Sequence, residues 1–103
     1  MSLYRISSRA RRDLETIADY TTDQWGEEQA DHYSEQLAIC FQMLAESPNL
    51  GRPCDELSAG VKRFEHGSHV VFFQAKKNGI VIGRILHKSM LPTLQRLNPK
   101  NDY

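Results

Sequence analysis

Apolar positions along this chain keep one period, abandon it, and then take it up again. Leu3 to Ile6 alternate between apolar and polar and predict a first strand. From Ser8 to Trp25 the residues Ala10, Leu14, Ile17, Thr21 and Trp25 recur at three and four, while Asp13, Glu15, Asp19 and Asp23 fall largely elsewhere. This is the stripe of an amphipathic helix. Ser7 or Ser8 supplies an N-cap oxygen, and Gly26 stands where a left-handed C-cap is easiest for glycine. A second helix restarts at Glu27 with the stripe Ala30, Tyr33, Leu37, Phe41 and Leu44. Its leading acids suit the positive end of the helix dipole, and Pro48 ends it by pushing Ser47 out of helical geometry. With one glycine between them, the two helices must fold back as an antiparallel hairpin.

The stretch "SPNLGRPCDELSAG" is rich in turn formers and reads as a long loop. Val61 to Glu65 predicts the next strand, Gly67 a turn, and His69 to Lys88 a hairpin centred on Asn78-Gly79. The expected fold is therefore α+β: an N-terminal strand, an antiparallel two-helix hairpin, then three antiparallel strands, with the helices packed on one sheet face. A turn centred there sets Ala75 opposite Ile82, Phe73 opposite Arg84, Val71 opposite Leu86 and His69 opposite Lys88, all on one face. Val70, Phe72, Val81, Gly83, Ile85 and His87 take the other. Both faces are largely apolar, yet one helical hairpin can cover only one of them. Leaving Phe73, Ile82 and Leu86 wet forgoes about 1.5 to 3 kcal/mol each, so a partner chain is expected on the second face. The other way to cover it is for the N-terminal segment or the tail after Lys88 to fold across.

Length and composition narrow the classes of function. A chain of 103 residues is one domain with a thin core, and its apolar and charged fractions are those of a globular protein. No apolar run approaches the roughly 18 residues that cross a bilayer. Met1 to Ala10 carries charges where a secretory signal needs an apolar stretch, so a cytoplasmic protein is expected. Cys40 and Cys54 are too few for a disulfide framework and read as a core thiol and a loop thiol. The formal net charge of zero hides a segregation: from Asp13 to Glu56 every Asp, Glu, Lys or Arg except Arg52 is acidic, and from Val61 to Lys88 every one except Glu65 is basic. Arg5, Arg9, Arg11 and Arg12 add a second basic cluster. Such a field steers an acidic partner or a polyanion to one side; it also fits a solvated helix face and lysines guarding sheet edges.

Catalytic signals are weak. His66 and His69 form HxxH across a glycine turn, but nothing completes a metal set, so no metal and no cofactor are expected. Ser68, His69 and Ser89 lack a third residue at recognisable spacing, and neither GxxxxGK[ST] nor GxGxxG is present. His87 beside Lys88 fits acid-base and phosphate-clamp work in RNA cleavage, and equally a contact pair that breaks no bond.

The element order and several words resemble the ParE toxins of the RelE/ParE toxin-antitoxin superfamily. The words are "YRISSRARRDL" (Tyr4 to Leu14), "WGEEQADHY" (Trp25 to Tyr33), "LAESPNLGRPCDEL" (Leu44 to Leu57), "GSHVVFF" (Gly67 to Phe73) and "RILHKSM" (Arg84 to Met90). They span a toxin domain of residues 1–91 and leave 92–103 as a C-terminal tail. The resemblance implies a RelE/ParE-like fold and a toxin that inhibits DNA gyrase without being an enzyme. It also implies a hetero-oligomer with a ParD-like antitoxin, which alone contacts operator DNA. The alternative within the superfamily is a RelE-like, ribosome-dependent mRNA endoribonuclease. That branch carries extra basic residues and an aromatic or histidine near the last strand and tail, where this chain has His87-Lys88-Ser89-Met90. Met90-Leu91 departs from relatives in which an acid follows the methionine, and no catalytic role is carried onto Tyr103. On this reading Arg63, Arg84, His87 and Lys88 are expected to meet gyrase. His69, Val71, Phe73, Ile82 and Leu86 are expected to meet the antitoxin.

Overall fold

A computed structural model describes residues 2–54 and 59–90. It is an α+β structure: β1 (Leu3–Ile6), α1 (Ser8–Trp25), α2 (Glu27–Glu46), β2 (Arg52–Pro53), β3 (Val61–His66), β4 (His69–Lys76) and β5 (Gly79–His87), with a 3-10 turn at Pro48–Leu50 before β2. The sheet has five strands in the order β1-β5-β4-β3-β2. Two features correct the expected order. The stretch read as a loop contributes the edge strand β2, antiparallel to β3, and β1 lies parallel to β5. Pro53 fits an edge, where a missing N–H costs no ladder bond.

Local chemistry explains where the helices start and stop. Ser7 caps α1: its oxygen accepts from the Ala10 amide at 3.0 Å, while its hydroxyl donates to the Gly83 carbonyl at 2.9 Å. The Ser7 amide also donates to the Ile82 carbonyl, so the start of α1 is fastened to β5. Gly26 ends α1 with φ +92° and ψ 166°. That is an extended positive-φ conformation rather than the expected left-handed helical one, and it too suits glycine best. On α2 the predicted stripe is the buried one, from Ala30 through Leu37, Phe41 and Leu44. On α1 the stripe holds at Ala10 and Ile17 but fails at its end, where Trp25 is 72% exposed.

The β4–β5 hairpin does not have the expected register. Its turn is centred on Lys77-Asn78, with Lys76 paired to Gly79. Among the described residues only glycines adopt positive φ, so Asn78 does not enter the region that a type I′ turn demands of it. The pairs are Ala75 with Ile80, Phe73 with Ile82, Val71 with Ile85 and His69 with His87. A bulge between the Phe73–Ile82 and Phe72–Arg84 pairs leaves Gly83 as the extra residue.

This register redistributes the faces. Val71, Phe73, Ile80, Ile82 and Ile85 join Leu37, Phe41 and Leu44 in the core beneath the helices. Val70, Phe72 and Leu86 form a second, smaller core with Cys54 and Val61. The expectation that a foreign chain must cover the second face is corrected, because Val70 and Phe72 are fully buried within this chain. One reason is visible between β2 and β3, where the Cys54 amide donates to the Val61 carbonyl at 2.7 Å and draws Cys54 in beside them. The tail expectation, residues 92–103, lies outside the described residues.

Candidate functional site: a groove between α1 and the end of β5

A cleft of about 410 Å³ runs between α1 and the end of β5, lined by Asp13, Ile17 and Tyr20 on one side and Ile85, His87 and Met90 on the other. Beyond Tyr20, His69 and His87 it continues into a second hollow of about 480 Å³, walled by Trp25, His32, Tyr33 and Ser68. The rim is aromatic: Tyr20 is 61% exposed and Trp25 still more so. Large amphipathic rings displayed beside a groove are the usual anchors of a protein interface.

At the floor the β4–β5 register brings His69 against His87, with ring centres 5.4 Å apart and edge to face. Tyr33, reaching over from α2, places its hydroxyl 2.6 Å from His69 Nδ1 and 3.3 Å from the His66 carbonyl. The hydroxyl can donate to the imidazole, or accept from it while donating to the carbonyl, so either neutral tautomer of His69 is satisfied. Burial, followed by the charges of His87 and His66, pushes His69 down to about 4. Burial likewise raises the Tyr33 hydroxyl, with Cys40 adding to it, and pushes the Cys40 thiol up to about 11. His87 Nδ1 lies 2.8 Å from Ser89 Oγ and also accepts the Ser89 amide at 3.1 Å. When Nδ1 accepts from the Ser89 amide, the proton of the neutral ring sits on Nε2, so this turn sets the tautomer that His87 presents. Among the described residues no group of three His, Cys, Asp or Glu could hold a metal ion.

The four residues expected to face gyrase do not converge. Arg84 is drawn inward, where its Nε and Nη2 donate to the two Asp13 carboxylate oxygens at 2.8 and 3.2 Å; Asp13 Oδ2 also accepts the Ile85 amide at 2.9 Å. Both side chains are about 15% exposed, so this pair holds α1 to β5 inside the fold. His87 faces the groove, while Arg63 and Lys88 meet on the other side of the sheet around Glu65. Of the five expected antitoxin contacts, Val71, Phe73 and Ile82 are core residues without exposed surface, Leu86 is buried in the second core and only borders the groove, and His69 lines it. Sequence reasoning passed over Tyr20, Trp25, Asp13 and Glu65. Glu65 alone had a signal, as the single acid in a basic stretch.

Among the described residues no helix is long and apolar enough to cross a membrane. The fold resembles a solved chain described as "Chromosomal ParDE TA system from P. aeruginosa", with a TM-score of 0.70 at 24% identity over 84% of this chain and 96% of that one. Toxin ParE1 of Caulobacter vibrioides is 43% identical over 90 residues, which is 87% of this chain and 93% of the relative. Toxin ParE1 of Mycobacterium tuberculosis is 37% identical over 90 residues, 86% and 92% of the two chains. Residues 4–92 match the model of the ParE toxin of type II toxin-antitoxin systems, parDE. With nearly its whole length matched by that family model and by two such relatives, this chain belongs to the ParE toxin family of type II toxin-antitoxin systems.

Proposed function

We propose that this toxin acts as a non-enzymatic inhibitor of DNA gyrase and is held inactive by a ParD-like antitoxin, a segment of which lies in the groove between α1 and the end of β5. Membership of the ParE family carries the reading. The dispersal of the basic residues supports it. Cleavage of a phosphodiester needs an acid, a base and a cation aimed at one phosphate. Here Arg84 is committed to Asp13, His87 opens on the groove, and Arg63 and Lys88 lie across the sheet from it. The rim of Tyr20, Trp25 and Met90 gives an antitoxin segment apolar anchors, and His69 and His87 line the floor.

The deciding experiment measures gyrase supercoiling and integrity of ribosome-bound messenger RNA with the same purified chain. Supercoiling falls with increasing toxin, the message stays intact, and a cognate antitoxin restores supercoiling. Undiminished supercoiling at large molar excess of folded toxin defeats the proposal. Discrete message cleavage, abolished by His87→Ala with the fold retained, would establish the ribonuclease in its place.

A further inference from the structure

The second basic assembly lies on the outer face of the sheet, away from the groove. Arg52 of β2, Arg63 of β3 and Lys88 just past β5 close on a single carboxylate, Glu65, at 3.0, 3.8 and 3.5 Å. Three cations share one anion, so the patch keeps a surplus of positive charge. The cations differ in how firmly they are held. Arg52 and Lys88 are well exposed, whereas the Arg63 side chain is 22% exposed and its guanidinium lies 6.0 Å from the centre of the Phe72 ring. Its Nε is buried and meets no acceptor among the described residues, and its Nη2 stands too far from Glu65 for a hydrogen bond. Arg63 is thus an oriented guanidinium that spends no hydrogen bond on Glu65, and a carboxylate placed closer to its Nη2 would make a charge-assisted one.

Glu65 is a weak occupant. It is 46% exposed, and ion pairs at that exposure are weakened by solvent screening. We infer that Arg52, Arg63 and Lys88 form a docking site for one carboxylate side chain of an acidic protein segment, and that Glu65 is a resident stand-in which the incoming carboxylate displaces. The exchange is one carboxylate for another. The newcomer can approach Arg63 Nη2 to hydrogen-bond distance, which Glu65, on the same strand, does not reach at 3.8 Å. A nucleic acid suits the site less well. Its footprint is a long basic stripe, while these cations end at the small core of Val70, Phe72 and Leu86. The inference does not depend on gyrase being the target, because its readout is made on the isolated chain.

The test is a titration of the full-length, isotope-labelled chain with hexaglutamate and, separately, with a single-stranded hexadeoxynucleotide, followed by amide chemical shifts. Hexaglutamate should move the Arg52, Arg63 and Lys88 signals saturably. Glu65→Gln should tighten it about fivefold, equivalent to about 1 kcal/mol. Arg63→Lys keeps the charge but removes the fork, and should lose most of that affinity with an unchanged melting temperature. Unaltered or weakened hexaglutamate binding by Glu65→Gln overturns the inference. So does Arg63→Lys binding as well as the parent, or a gain confined to the oligonucleotide, which would mark a nucleic-acid surface.

Discussion

His69 is the residue whose setting departs furthest from its ordinary chemistry. It packs between Tyr33 and His87 with its ring half withdrawn from water, and burial holds it down to about 4 from an ordinary 6.5. Between those values the unfolded chain takes up a proton that the folded chain refuses, so folding stability is full above pH 6.5 and falls as pH drops toward 4. Partial exposure reduces the effect to about 1 to 2 kcal/mol. Urea unfolding of the parent and of His69→Gln between pH 7.5 and 4.5 should show the parent losing stability more steeply by that amount. Parallel curves would mean that the refused proton is of no consequence. The counterpart is Asp13, which meets an arginine and a backbone amide at once and so makes a carboxylate near the start of α1 part of the core structure rather than of its wet face.

At the scale of elements, much was legible and the failures have causes. Both helices, their boundaries and the α2 stripe follow from the 3.6-residue period and from Ser7, Gly26 and Pro48. The strand register does not follow from the turn, because the Gly79 position is governed by a neighbour that no local rule contains. A Cβ on Gly79 would collide with the carbonyl of Leu3 in β1, so glycine is there to let the parallel strand approach, and the turn shifts back to Lys77-Asn78. The shifted turn alone moves Phe73 from Arg84 to Ile82, and the bulge at Gly83 then changes the pairing again, so that Val71 meets Ile85 instead of Leu86. The groove was illegible for a related reason: it arises where α1 runs past β5, and Trp25 fits the helical period whether or not anything covers it. Gly79→Ala should therefore lower the melting temperature by several degrees, corresponding to about 1 to 3 kcal/mol. Its damage should be concentrated in the amide exchange of residues 3–6. An unchanged melting temperature would show that β1 accommodates the methyl group.

For the whole molecule, the division of surfaces is the main result. Buried apolar residues fill two cores, one on each side of the sheet, so the exposed aromatics Tyr20 and Trp25 are surplus to folding. Tyr20→Ala and Trp25→Ala should each weaken a cognate antitoxin at least tenfold in Kd while leaving thermal stability within about 0.5 kcal/mol. If affinity is unmoved, the antitoxin lies elsewhere. The parallel pairing of residues 3–6 with 79–82 has a consequence of another kind. The first strand to leave the ribosome has nothing to lie against until almost the last of the sheet has emerged. A chain that stops short of β5 therefore cannot complete this sheet, and its first strand is left without a partner.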